Sequence, residues 1–242
     1  MHTNDKALLT VYQFDNKRRL GRNGDGGYVI GILDGSYDCY ISCGVSNEEG
    51  FSRDFIMKYD IEKKKSFAFD GTIDDYPWNY TRNITFIKKN IGAVNDDAVS
   101  NMSFLTENYN DIFMKMDIEG GEFDWIISAN VDTLNKFKQI VIEIHGLHTD
   151  SFGANYSKKM ECLKKLSETH YIIHAHGNNN GTVQDNIPEV MELTYVRKNY
   201  FSIPPKLNTY PLPDPILDFS CNGILPTLPD FDLNRYPFVH NN

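Results

Sequence analysis

One stretch constrains the fold more than any other: Lys115-Met116-Asp117-Ile118-Glu119-Gly120-Gly121-Glu122-Phe123-Asp124-Trp125-Ile126. Ahead of it, Ile112-Phe113-Met114-Lys115-Met116 has the length and apolarity of a strand buried on both faces of a sheet. Behind it, Phe123, Trp125, Ile126 and Ile127 supply the buried face of a helix. A strand, a tight glycine turn and a helix start in immediate succession make a βα unit. Open α/β sheets hold their ligands at the carboxyl ends of such strands, which puts Asp117, Glu119 and Glu122 at the rim of a site.

The device recurs along the chain. Tyr37 to Ser46 reads as a first sheet strand ending in a small-residue turn at Gly44, and Glu48 to Tyr59 as the helix after it. Lys65 to Asp70 is a short strand closing on an acid 26 residues past Gly44. An acid about 20 residues beyond such a turn is placed to bind ribose hydroxyls, although an aspartate there serves equally as a turn or cap residue. Ile84 to Lys88 is a third strand. Gln139-Ile140-Val141-Ile142-Glu143-Ile144-His145-Gly146 is the strongest one, with Glu143 and His145 sharing a face near its end. Polar groups buried there are unfavourable unless something binds them. Lys158 to Thr169 is an amphipathic helix, Tyr171 to Gly177 a strand with His174 and His176 at alternate positions, and Met191 to Phe201 a last strand. This alternation specifies a mostly parallel doubly wound α/β sheet with helices on both faces and room for an antiparallel edge.

Two segments stand outside the alternation. Gly21 to Ile30 packs its glycines either into a plain hairpin turn or into a loop whose backbone approaches a ligand closely. Eight of the ten prolines fall between Pro204 and Pro237, which excludes a long helix. Yet Ile216, Leu217, Phe219, Ile224, Leu225, Phe231 and Phe238 are too apolar for a free tail, so an extended strap lying across the core is expected. With no repeat or linker, the expectation is one domain over 1–242: an N-terminal segment with the Gly-rich loop to 36, a core over 37–201 and the strap over 202–242.

A net charge of −9 and a pI near 5.2 argue against a nucleic-acid partner, which would draw on basic surface. No apolar run approaches the roughly 18 residues of a membrane helix. Four scattered cysteines without a C-x-x-C pair and no signal-like apolar start lead us to expect a soluble, cytoplasmic protein in a reducing compartment.

The order of strands, turns and acids resembles the FkbM-like family of S-adenosylmethionine-dependent O-methyltransferases. The resemblance runs through Asp25-Gly26-Gly27-Tyr28-Val29, Ser42-Cys43-Gly44-Val45-Ser46, Asp70-Gly71-Thr72, Lys115-Met116-Asp117-Ile118-Glu119-Gly120-Gly121-Glu122 and Val141-Ile142-Glu143-Ile144-His145. The first turn departs from the usual run of alternating glycines, having Gly44 between Ser42 and Ser46. The resemblance implies a Rossmann-like seven-stranded methyltransferase sheet and S-adenosyl-L-methionine as cofactor. It implies Gly44 and Ser46 at the methionine end, Asp70 at the ribose, and Asn90 with Ile91 near adenine. Tyr28, Ser42, Gly71 and Asp117 join the cofactor set through the same blocks. Family members methylate hydroxyls on sugars and polyketide-like products, so a carbohydrate acceptor is expected.

A sugar hydroxyl is a weak acid and needs a base or a metal to bear the developing alkoxide. One arrangement has Asp117, His145 and His176 holding Mg²⁺ or Mn²⁺, with Glu143 exchangeable for His176. The other has no metal: His145 takes the proton while Glu143 or Glu119 orients its other nitrogen. Two different classes compete, a metal-dependent hydrolase using the same acids and histidines, and a non-catalytic module on a methyltransferase scaffold.

Overall fold

The computed structural model describes residue 1 and residues 3–77, 79–222 and 228–240, the side chains of residues 3 and 4 excepted. Strands β1 (Lys17–Leu20) and β2 (Tyr28–Gly31) form an antiparallel hairpin. The rest of the core runs β3 (Cys39–Cys43), α1 (Gly50–Tyr59), β4 (Ser66–Phe69), β5 (Thr85–Ile87), β6 (Ile112–Met116), α2 (Glu122–Ser128), β7 (Phe137–Ile144), α3 (Tyr156–Thr169), β8 (His170–Gly177) and β9 (Met191–Arg197), so the expected alternation holds only in part: among the described residues no long helix separates β4, β5 and β6. Seven of these strands make one mixed sheet in the order β8-β9-β7-β6-β3-β4-β5. β3 to β7 pair in parallel, and β9 runs antiparallel to both β7 and β8. The order reverses beside β3, with β4 and β5 on one side and β6 and β7 on the other, so the chain opens a crevice at the carboxyl ends of β3 and β6.

Alternation along each strand divides the core. Ile112, Met114 and Met116 of β6, with Ile140, Ile142 and Ile144 of β7, face Phe123, Trp125 and Ile126 of α2 and Leu163 and Leu166 of α3. Tyr40, Phe113 and Val141 face the other way, against Phe51 and Phe55 of α1 and Tyr28 and Ile30 of the hairpin. Phe113 sits at the centre of that layer, its ring centroid 4.0 Å from Phe55 and 5.5 Å from Tyr37. Helix α3 starts where Asn155 accepts the Lys158 amide at 2.9 Å, a side-chain N-cap.

The C-terminal segment is extended and carries no long helix among its described residues. Leu212, Leu233, Phe238 and Val239 enter the core, while Asp218 Oδ1 accepts from His174 Nε2 across 2.8 Å. Ile224 and Leu225, two of the strap residues singled out in the sequence, lie outside the described residues. The Gly-rich stretch is a hairpin, and the tip of that hairpin, Arg22, Asp25 and Gly26, also lines the crevice.

Candidate functional site

Strand register places the site. Extending the observed pairings by one residue beyond Cys43, Phe69, Met116 and Ile142 lines up Asp70, Gly44, Asp117 and Glu143 on one face. The backbone bonds from Gly44 N–H to Phe69 O at 2.9 Å and from Asp117 N–H to Cys43 O at 3.0 Å show that the ladder runs that far. Glu143 then pairs with Glu192 of β9, and Glu192 with His176 of β8. Six strands thus contribute one residue each to a single row across the sheet, on the face covered by the hairpin and the strap.

A cleft of about 820 Å³ opens over the left part of this row, lined among others by Gly44, Ser46, Asp70, Asn90, Ile91, Asp117, Glu119, Glu143 and His145. At its floor His145 is ringed by acids. Its Nε2 stands 3.4 Å from Glu119, 3.8 Å from Glu143 and 3.9 Å from Asp117, and its Nδ1 3.5 Å from Glu122. Burial disfavours the imidazolium, but Glu122, Glu143 and Glu119 overcome that and push the His145 pKa up to about 9. Glu143 is raised well above the usual carboxylate range by burial, then by Asp117 and Glu192, and Asn178 donates to it at 2.8 Å. His145 therefore carries its proton at neutral pH, while burial beside Asp117 and Glu192 disfavours the Glu143 carboxylate. Asp25, on the hairpin tip, is raised by burial and by Asp117.

Local backbone explains how these groups converge. Glu119 at φ 54° and Gly120 at φ 105° are both left-handed, which reverses the chain after β6. A Cβ on Gly120 would lie 2.4 Å from the Phe152 carbonyl oxygen, so only glycine fits. Phe152 in turn covers His145, ring centroids 5.2 Å apart. Gly44 at φ 82° is equally constrained, since a Cβ there would come within 1.7 Å of the Asp117 carbonyl oxygen.

Several sequence expectations need correction. His176 is not gathered with Asp117 and His145, because Glu192 separates it from Glu143 in the row; among the described residues, the third group with Asp117 and His145 is Glu143. The His145 nitrogen turned away from the cleft faces Glu122 rather than Glu143 or Glu119. Glu122, expected at the rim of the site, lies instead beneath it: fully buried, it accepts from Gly120 N–H at 2.7 Å and His145 N–H at 3.3 Å. Ser42 has its hydroxyl directed away from the cleft, donating to Glu49 at 2.9 Å. Tyr28 stands behind the acids, its hydroxyl donating to Asp117 at 2.9 Å and lying 3.4 Å from Glu143. Gly71 is outside the cleft lining and leaves room for Asn90, whose amide a Cβ would meet at 2.5 Å. Asp70 does line the cleft, yet its Oδ2 already accepts from Val45 and Ser46 N–H and its Oδ1 from Thr72 N–H and Oγ1. Its carboxylate holds the first turn in shape.

Lys115, Asn178 and Phe152 were missed in the sequence. Lys115 is buried, donates to Gly44 O at 2.7 Å and lies 3.9 Å from Asp117. The signal for it was the lysine interrupting a run of apolar residues in β6, since a buried lysine needs partners.

Residues 14–190 match the family model described as Methyltransferase FkbM domain. The chain belongs to this family. No curated protein and no solved structure matches the chain. The family implies S-adenosylmethionine as the methyl donor, and methyl transfer takes the place of the hydrolase reading. No helix among the described residues is long and apolar enough to cross a membrane.

Proposed function

We propose that this protein is an S-adenosylmethionine-dependent O-methyltransferase that methylates a hydroxyl of a sugar or glycan with the help of a divalent cation. The observation that carries the reading is the cluster of Asp117, Glu143 and His145, each offering one ligand atom within 4.8 Å of the others, beside a glycine turn at the point where the strand order reverses.

The cleft fits the donor. Gly44 and Ser46 leave the first turn free of bulk, and Asn90 and Ile91 line the same wall farther along, beside β4 and β5. S-adenosylmethionine, when bound, supplies an activated methyl group, so the chain's task is alignment and care of the acceptor proton. Asp70 keeps Val45 and Ser46 in position, and Lys115 fixes Gly44 from beneath. Glu122 and Phe152 hold the His145 ring so that Nε2 faces the cleft.

The crowding of Asp117, Glu119, Glu122 and Glu143 around His145 favours the metal over a base. An imidazolium cannot accept the hydroxyl proton, and the acids gathered about it mark a place that a divalent cation can take. Such a cation, held by Asp117, Glu143 and His145, would lower the pKa of a coordinated hydroxyl. Asp25 and Glu119 then remain at the rim to receive the released proton. The sugar acceptor rests on a cleft lined by acids and amides, including Asn178 and Asn180, groups that pair with hydroxyls.

Titration calorimetry with S-adenosylhomocysteine, followed by mass spectrometry of sugars and glycans incubated with protein and donor, tests the reading. Binding, methylated carbohydrate and loss of activity in EDTA that Mn²⁺ restores are the expected results. Folded protein that ignores S-adenosylhomocysteine would reveal a non-catalytic module. Activity undiminished by EDTA would return the proton to a side-chain base, and methyl found only on protein or nucleic acid would overturn the acceptor.

A further inference from the structure

A second group of ligating side chains lies farther along the same row, under the strap. His176 on β8 and Glu192 on β9 face each other in register, and Cys221 of the strap comes down onto them. His176 Nδ1 lies 2.9 Å from Glu192 Oε2, and Cys221 Sγ lies 3.3 Å from Glu192 Oε1. One ligand atom from each of the three falls within 4.8 Å of the others, and all three residues are at most 5% exposed. On the other side of the ring, Nε2 is 3.3 Å from Asp230 Oδ2, and both His176 Nε2 and Asp230 Oδ1 are buried with no hydrogen-bond partner.

We propose that His176, Glu192 and Cys221 form a binding site for a thiolate-preferring divalent transition metal, Zn²⁺ foremost, which fastens the C-terminal strap to the sheet. The donor set decides the metal class: a thiolate, an imidazole and a carboxylate select zinc over magnesium or calcium, whereas the sulfur-free group of Asp117, Glu143 and His145 suits a harder ion. Geometry agrees. Tetrahedral zinc with bonds of about 2.0 Å to nitrogen or oxygen and about 2.3 Å to sulfur sets its ligands about 3.3–3.6 Å apart. The observed separations of 2.9 and 3.3 Å need widen by only a few tenths of an ångström.

Asp230 completes the arrangement. A histidine that ligates through one nitrogen hands its other N–H to a carboxylate, which fixes the tautomer and the ring. With the metal at Nδ1, the Nε2 proton points at Asp230, giving a partner to the ring nitrogen that otherwise lacks one. Binding releases the thiol proton of Cys221, because the thiolate and not the thiol is the ligand. The fourth position goes to the second Glu192 oxygen or to water. Glu192, Cys221 and Asp230 all lie past residue 190, beyond the family match, so the site belongs to this chain's C-terminal part.

The experiment uses the full chain without a histidine tag, stripped with chelator and titrated with Co²⁺. The expected result is a thiolate-to-cobalt charge-transfer band with intense tetrahedral d–d bands, both bleached by Zn²⁺, and a Zn²⁺-dependent rise in melting temperature. Cys221→Ser, nearly isosteric, is expected to remove the charge-transfer band and the thermal shift. His176→Asn is expected to weaken Co²⁺ binding at least tenfold, and His145→Ala to leave the band in place. A folded wild-type protein that shows no such band, or a band that survives Cys221→Ser, would overturn the proposal and leave His176 a structural residue held between Glu192 and Asp230.

Discussion

Glu122→Gln tests the electrostatics of the cleft most directly. Glu122 is fully buried, and its Oε1 lies 3.5 Å from His145 Nδ1. The rise of the His145 pKa from 6.5 to about 9 spans about 2.5 pH units, or about 3 kcal/mol at 1.36 kcal/mol per unit. Burial works against that rise, and Glu122 is the foremost of the acids that produce it, with Glu143 and Glu119 behind. Removing its charge while keeping its shape is expected to lower the His145 pKa by at least about one unit, a tenfold loss of proton affinity or about 1.4 kcal/mol. The new amide also confronts one of two buried N–H groups, Gly120 or His145, which adds about 1–3 kcal/mol of destabilisation. Because the folded pKa lies above the unfolded one, the stabilisation is complete below about pH 6.5 and is lost as pH rises through about 9. The assay is a chelator-treated NMR titration of the histidine C2 protons, with His145 assigned from His145→Asn. A wild-type His145 that titrates at or below about 6.5, or one that Glu122→Gln leaves unmoved, would refute the reasoning.

Other substitutions probe the remaining parts. Tyr28→Phe takes the hydroxyl from Asp117 and Glu143, so unfolding free energy should fall by about 1.5–3 kcal/mol and methyl transfer with it; unchanged melting and turnover would contradict this. Gly44→Ala forces a Cβ against the Asp117 carbonyl in a left-handed conformation, and calorimetry should show S-adenosylhomocysteine binding lost or weakened by at least about tenfold. Asp70 resists ionisation through burial, yet its hydrogen bonds to Ser46, Thr72 and Val45 hold its pKa below the usual value, so its stabilisation is present at neutral pH and lost as pH falls through the folded value; Asp70→Asn should flatten that acid limb in denaturation curves. Phe113→Ala, at the centre of the aromatic layer, should lower stability by about 3–5 kcal/mol in a urea titration.

The strands were legible because their apolar runs are long and β-branched, and the glycine turns after β3 and β6 because only glycine tolerates those backbone angles. Asp117, Glu143 and His145 stood out in the sequence because acids and imidazoles at the ends of buried strands contrast with apolar neighbours, and the fold brings them to one cleft. What sequence did not convey was pairing between strands distant in the chain. His176 was expected beside Asp117 and His145, but β9 inserts between β7 and β8 and gives Glu192 to His176 instead. Likewise the role of Glu122 depends on β7 bringing the His145 amide to it, a contact 23 residues away. Cys221 and Asp218 sit in a strap whose path no periodicity records, so their meeting with His176 and His174 was invisible until the chain was folded.

The row that crosses six strands has a consequence for which changes in length the chain tolerates. Side chains alternate with a period of two, so deleting one residue within β7 upstream of Glu143 would turn Glu143 and His145 into the apolar layer beside α2 and α3 and bring Ile142 and Ile144 out in their place. An insertion in an exposed connection outside the sheet, such as 93–98, leaves every member of the row where it is. Indel scanning would therefore draw the site as a map: intolerant wherever a strand counts residues toward the row, and permissive in the connections between.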